Sequence, residues 1–426
     1  MVERIPADPA AAEPLEVERQ APPSAADDHG FGAELRLLRE QRRALDVRGL
    51  ANPFFLAHDA VAGGTTVIAG KTYLNFANYN YLGLNGDPAV SRAAHAAIET
   101  QGTSVSASRI VSGERPLQRE LELALAEFLQ AEDCLALVSG YLTNLTVIGH
   151  VMRPGDVIFH DRLAHNSAIQ GALLSRAKRI GFPHNDWRAL DRLMAEHRGS
   201  YRRALIFVEG VYSMDGDIAD LPRFIELRGR HNAMLMVDEA HSLGVLGRHG
   251  GGVREHFGLS GRDVDLWMGT LSKALASGGG YVAGNGAVME YLRYTMPGFI
   301  YSVGISPPAA AAALAALRRM REEPSRIAML QARARLFLAR ARQKGLDTGS
   351  SEGTAIVPVM VGDSMQSIAL ANALFARGIN VQPVLAPAVS EATARLRFFI
   401  TSAHSEAQIC QAVDAVAEEL TRLRQG

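Results

Sequence analysis

The spacing of hydrophobic and polar positions changes character several times along this chain. Between residues 33 and 50, Leu35, Leu37, Leu38 and Leu45 stand among charges, which predicts an amphipathic helix on a surface or subunit interface. Around Gly70-Lys71 two short runs rich in β-branched and aromatic residues flank a turn and predict a hairpin. From residue 87 onward, helical stretches such as 89–100 and 116–130 alternate with short apolar runs at 134–138, 157–159, 204–208, 233–237, 266–268 and 281–283. Those runs show no inner alternation, so they predict strands buried on both faces, an α/β class with a mostly parallel sheet. After Ser306-Pro307-Pro308 an alanine-rich helix leads to a second pattern: strand 355–361, helix 365–376, strands 380–383 and 396–401, and a helix from Glu406. That order predicts a small α+β unit. Residues 1–30, rich in Ala, Pro, Glu and Asp without periodicity, are expected to be a disordered arm. The expected division is therefore 1–30 arm, 31–86 helix and hairpin, 87–304 large domain and 305–426 small domain.

Composition narrows the function classes. The 426 residues are 47% hydrophobic and 21% charged, ordinary for a chain with a sizeable core. A net charge of −1 argues against a nucleic-acid partner, which calls for a basic face. The two cysteines, Cys134 and Cys410, make no disulfide framework. No secretory signal is visible at the start, and the longest apolar run, 309–317, is too short to span a bilayer. The expectation is a soluble, reduced, cytoplasmic protein. Gly70-Lys71-Thr72 mimics a phosphate loop, but the position five before Gly70 is Thr65 and more strand follows, so that reading is set aside. No metal-ligand spacing and no GxSxG serine elbow compete.

In parallel sheets, sites form beyond the carboxyl ends of strands, and candidate chemistry sits there. Lys273 lies between an apolar strand and a glycine run; burial there lowers an amine's pKa and makes it nucleophilic enough for a Schiff base. Thr270 and Ser272 place hydroxyls beside it. Asp238 ends another strand and can hold a protonated pyridine nitrogen, or simply cap the next element. Gly140-Tyr141 opens a helix whose free N–H groups suit a phosphate. His165 can stack on a flat ring and His241 can donate to a phenolate oxygen, although a lone histidine is more often a structural one. Arg395 and Arg397 share one face of a strand, and an arginine fork binds a carboxylate; a salt-bridged edge strand is the alternative. Together these are the groups that pyridoxal 5'-phosphate and an amino-acid substrate require.

Eight stretches in order carry a family resemblance: NYLGL at 80–84, SGYLTNL at 139–145, DRLAHNS at 161–167, EGVYSMDGD at 209–217, VDEAHSLGVLG at 237–247, GTLSKALASGGG at 269–280, IYSVGISPP at 300–308 and ARLRFFITSAH at 394–404. From about Asn52 to its end the chain resembles the α-oxoamine synthases, fold-type-I pyridoxal-phosphate enzymes that include 8-amino-7-oxononanoate synthase and serine palmitoyltransferase. The resemblance implies a C-acyltransferase: decarboxylative Claisen condensation of glycine, alanine or serine with an acyl-CoA or acyl-carrier-protein thioester. It implies Lys273 as the Schiff-base lysine, Asp238 on the pyridine nitrogen and His165 stacked on the ring. Ser213 and His241 fall to the phenolic oxygen, and Gly140, Tyr141 and Thr270 to the phosphate; Ser272 is a cofactor-binding candidate through its own hydroxyl. Ser302 is implied to reach in from a second subunit of a homodimer, Arg397 to bind the substrate carboxylate, and Asn80 to sit near the substrate. Where many relatives carry GSGGS, this chain has Ser104-Val105-Ser106-Ala107-Ser108, so Ser104 and Ser106 mark the acyl-donor entrance as a point of departure. Aminotransfer, C–C cleavage, or a non-catalytic binding protein on the same fold are the alternatives.

Overall fold

The structure, a computed structural model, describes residues 30–425; apart from Gly30, the expected arm lies outside the described residues. The chain divides into two compact units between Asn52 and Pro53. In the first, the helix expected over 33–50 forms at Gly32–Val47.

The main unit begins with the expected hairpin, β1 (Thr65–Ile68) against β2 (Lys71–Asn75). Ala69 and Gly70 turn between them, both at positive φ. A seven-stranded sheet follows, made of β3 (Asp133–Leu137), β4 (Val157–Asp161), β5 (Lys178–Phe182), β6 (Ala204–Glu209), β7 (Met234–Asp238), β8 (Leu266–Thr270) and β9 (Gly280–Gly284). Its order is β3-β9-β8-β7-β6-β4-β5, with β4 to β8 mutually parallel and β9 antiparallel to both neighbours. Six of these strands coincide with the apolar runs. The seventh, β5, reads KRIGF and escapes the apolar pattern: it is one of the two edge strands, and its Lys178 and Arg179 are exposed.

Continuous apolar runs make sense here because each strand feeds two cores. On β6, Ile206 and Val208 join one core and Leu205 and Phe207 the other, all fully buried. Each such side chain contributes about 1.5–3 kcal/mol by leaving water. Helices Pro116–Leu129, Trp187–His197 and Leu221–Arg230 cover the first face; Gly140–Val151, Asn166–Ser175 and Gly286–Thr295 cover the second. Strands β4, β6, β7 and β8 run one or two residues past their apolar stretch. They end on Asp161, Glu209, Asp238 and Thr270, which sets polar side chains along one edge of the sheet.

The C-terminal part carries a three-stranded antiparallel sheet, β10-β13-β12, backed by helices Pro324–Gln343, Ser364–Ala376 and Glu406–Gln425. Here β10 is Ile356–Met360, β12 is Gln382–Val384 and β13 is Arg395–Phe399. The single strand expected over 380–383 is divided. Its first part, β11 (Ile379–Asn380), pairs in parallel with β2, and the chain then crosses to β13 as β12. No helix among the described residues is long and apolar enough to cross a membrane.

Candidate active site

The polar ends of β6, β7 and β8 converge with the N-termini of two helices on a cavity of about 280 Å³. Gly140, Tyr141, His165, Ser213, Asp238, His241, Thr270, Ser272, Lys273 and Arg397 all line it, so residues spread over 258 positions of sequence are brought together.

Lys273 follows β8 by three residues, and its Nζ lies 5.5 Å from the centre of the Tyr79 ring. Burial outweighs the attraction of Asp238 and Glu209 and lowers its pKa to about 8. A sizeable fraction of this amine is therefore neutral near physiological pH, as a nucleophile or proton acceptor requires.

Asp238 ends β7. Its Oδ2 accepts from Asn144 Nδ2 at 2.8 Å and its Oδ1 from the Ala240 N–H at 2.9 Å, so the carboxylate is aimed from both sides. Asn144 also donates to Ser167 Oγ, and its own Oδ1 is buried without a partner. His165 stands at the start of helix Asn166–Ser175, with Nδ1 2.7 Å from Ser167 Oγ and its N–H donated to Glu209 at 2.7 Å. Burial lowers its pKa and keeps the ring neutral against the pull of Asp238. His241 is buried, its Nδ1 2.7 Å from the Tyr81 hydroxyl; burial and then the positive charge of Lys273 hold it well below its usual range.

Another stretch of the lining can cradle an anion. Ser139 caps helix Gly140–Val151 by accepting from the Leu142 N–H, and the first N–H groups of any helix lack intrahelical partners. Thr270 and Ser272 hydroxyls lie 2.8 Å apart beside it. A Cβ on Gly140 would meet Thr270 at 2.9 Å, so glycine is what lets strand end and helix start approach.

From the C-terminal part, Arg397 donates through Nη1 to the Ser213 carbonyl at 2.9 Å, while its Nε is buried without a partner. Its neighbour Arg395 is committed elsewhere, paired with Asp215 at 2.6 Å. Both lie on β13, which is the central strand of its sheet rather than an edge.

The remaining sequence candidates lie outside this cavity. Asn80 donates to the Ala62 carbonyl and accepts from the Asn85 N–H, so its amide is used in holding the fold. Ser302 donates to the Val303 carbonyl, and Ser104 accepts from the Ser106 N–H in a segment where Ser106 has positive φ. Sequence reasoning did not single out Tyr79, Tyr81 or Asn144. Asn144 was detectable in principle, since it follows Gly140 by four residues and so shares its helix face. Glu209, at the end of β6, pairs in register with Asp238 and accepts N–H groups from both His165 and Ser213. Burial and the Asp238 charge raise its pKa to about 8.

An amine of lowered pKa, an aimed carboxylate and an anion cradle with an open helix start are the complement of pyridoxal phosphate, and the unpartnered Asn144 Oδ1 and Arg397 Nε are polar atoms left for ligands. Residues 71–416 match the model of the family described as aminotransferase class I and II. The 8-amino-7-oxononanoate synthase of Geobacter sulfurreducens is 41% identical over 91% of this chain and 97% of its own length. Among solved structures, serine palmitoyltransferase of Sphingomonas wittichii superposes with a TM-score of 0.89 at 29% identity, over 94% of this chain and 100% of that one. Serine palmitoyltransferase from S. paucimobilis, with a bound pyridoxal phosphate–myriocin adduct, gives 0.88 at 30% identity, over 92% and 99%. The chain belongs to the α-oxoamine synthases, fold-type-I pyridoxal-phosphate enzymes within the class I and II aminotransferase family.

Proposed function

We propose that this enzyme condenses a small L-amino acid, glycine, alanine or serine, with an acyl thioester, releasing CO2 and the free thiol and yielding an α-amino ketone. One observation carries the reading: the depressed amine of Lys273 shares a cavity with Asp238 and with an arginine whose Nε is buried and unpartnered.

Bound pyridoxal phosphate supplies an electron sink for the pair left at the substrate Cα. The protein does the rest. Arg397 holds the substrate carboxylate through its free donor. Lys273, neutral, takes the Cα proton and later returns one to the product. Asp238, fixed by Asn144 and the Ala240 N–H, holds the proton on the cofactor's ring nitrogen. His165, neutral, stacks on the ring, while Ser213 and His241 serve its phenolic oxygen. Gly140, Tyr141, Thr270 and Ser272 hold the phosphate. The Cα carbanion attacks the thioester carbonyl, the thiol leaves, and the carboxylate departs as CO2 from the resulting β-keto acid.

In this reading the enzyme works in the cytoplasm as a homodimer. Ser302 serves the neighbouring subunit's phosphate, Asn80 holds the segment that brings Tyr79 to the cavity near the substrate, and Ser104 and Ser106 border the acyl-donor entrance. Residues 87–304 bind the cofactor and 305–426 bring Arg397 to it. A thiol-release assay crossing glycine, alanine and serine with acyl-CoA and acyl-carrier-protein donors tests it. Amino-acid-dependent thiol release with equimolar CO2 is expected; keto-acid formation without either product would overturn it.

A further inference from the structure

Ser213 and Met214 reach the cavity from a tight turn over residues 213–217. Its ends are tied by the Gly216 N–H to the Tyr212 carbonyl and the Tyr212 N–H to the Asp217 carbonyl. The turn is gripped from two sides. In front, Arg397 binds the Ser213 carbonyl, and Arg395 binds the Met214 carbonyl and Asp215. Gly216 packs against β10 so closely that a Cβ would lie 2.1 Å from the Ile356 carbonyl oxygen.

Behind it stands His184, in the connection that follows β5. Its Nδ1 lies 3.1 Å from both oxygens of Asp161, and its Nε2 lies 3.1 Å from Asp217 Oδ2. Asp161 and Asp217 are buried, and Tyr212 closes the space edge-on to the imidazole at 4.5 Å. Asn185 completes the grip by donating to Asp217 and to the Ile218 carbonyl. Two buried carboxylates on either side of one imidazole call for a cation between them.

We propose that His184, as an imidazolium held between Asp161 and Asp217, is a positioning residue that fixes the 213–217 turn and thereby the placement of Ser213 and Met214 in the cavity. Burial alone would push its pKa down, but Asp161 and Asp217 override it and hold the ring up at about 10. The ligand atoms of His184, Asp215 and Asp217 lie within 4.8 Å of one another, so a metal ion is the competing occupant. Arg395 argues against it: Asp215 is already paired with that guanidinium, which leaves a metal ion one uncommitted carboxylate, Asp217, where the imidazolium has both Asp161 and Asp217.

The kinetic part of the test rests on the condensation proposed above; the spectroscopic part does not. In the cofactor-free protein at pH 8, a downfield, exchange-protected imidazolium N–H resonance is expected, lost in His184→Gln. In the holoenzyme, His184→Gln and Asp217→Asn should each lower kcat/KM for the amino acid by about 10- to 100-fold, the cost of a misplaced site group. The double variant should lose less than the product of the two. A lower Tm with unchanged kinetic constants per folded enzyme would make His184 merely structural and overturn the proposal. Absence of the resonance in the unsubstituted protein, or stabilisation by Zn2+ or Mg2+ that depends on His184, would also overturn it. If the unsubstituted enzyme releases no thiol, the reaction fails, and the resonance with the pyridoxal phosphate affinity of both variants still decides His184.

Discussion

The pKa of Lys273 turns a structural fact into a rate law. Only the neutral amine attacks a carbonyl, and burial brings that form within reach at about pH 8 rather than at the ordinary 10.5. Covalent capture of pyridoxal phosphate by the cofactor-free protein should therefore accelerate about tenfold per pH unit from pH 6 to 7.5 and level off above about 8.5. Stopped-flow absorbance in the visible range reads this directly. A midpoint near 10 would mean that Lys273 is solvated like a surface lysine. Lys273→Ala should lose the visible band and at least a thousandfold in turnover. Asp238 and Lys273 could be picked out as candidates in the sequence because each charge follows an apolar strand run, where sites form in parallel sheets. Tyr81 and Asn144 could not, since a tyrosine or an asparagine in such surroundings is ordinary until its partner, His241 or Asp238, is placed beside it.

At the level of elements, the phosphate cradle depends on how closely helix Gly140–Val151 can approach the end of β8. Gly140→Ala would press its methyl into the Thr270 side chain at 2.9 Å and turn the hydroxyl out of the cradle. Losing one or two hydrogen bonds to a charged ligand costs about 1.5–3 kcal/mol each. Pyridoxal phosphate should thus bind at least about tenfold more weakly, measured by titrating the cofactor-free variant. Unchanged affinity would show that the phosphate is held elsewhere. The sheet itself was readable because burial on both faces demands uninterrupted apolar runs. What could not be read was β5, whose outer position allows it a polar start, and the switch at Val381, where one extended run leaves β2 and joins β13. Both are decided by which neighbour a strand finds, and that is long-range information. His184 follows β5, so the connection that carries it to Asp217 was hidden with the strand.

Across the whole molecule, two half-buried bases should bend the stability–pH curve in opposite directions. His184 is held up at about 10 from an ordinary 6.5, so its stabilisation is complete below 6.5 and is lost as pH rises through 10. Lys273 is pushed down to about 8 from 10.5, so its effect is the reverse: stability is fully present above 10.5 and is lost as pH falls through 8. Between pH 8 and 10 the first slope is negative and the second positive. Other shifted groups act mostly outside this window. The lowered histidines His165 and His241 act below 6.5, and raised Glu209 and Glu239 act up to about 8 and 7. Cys134, raised by burial, adds a negative slope above 9 that every variant shares. The change in Tm of the cofactor-free protein from pH 8 to pH 10 should therefore be more positive in His184→Gln than in the parent protein. In Lys273→Met it should be more negative. Circular dichroism melts at the two pH values check both at once. Equal shifts in all three proteins would mean that neither base keeps its perturbed proton affinity in the fold, and would undercut the neutral amine at Lys273 together with the cation at His184.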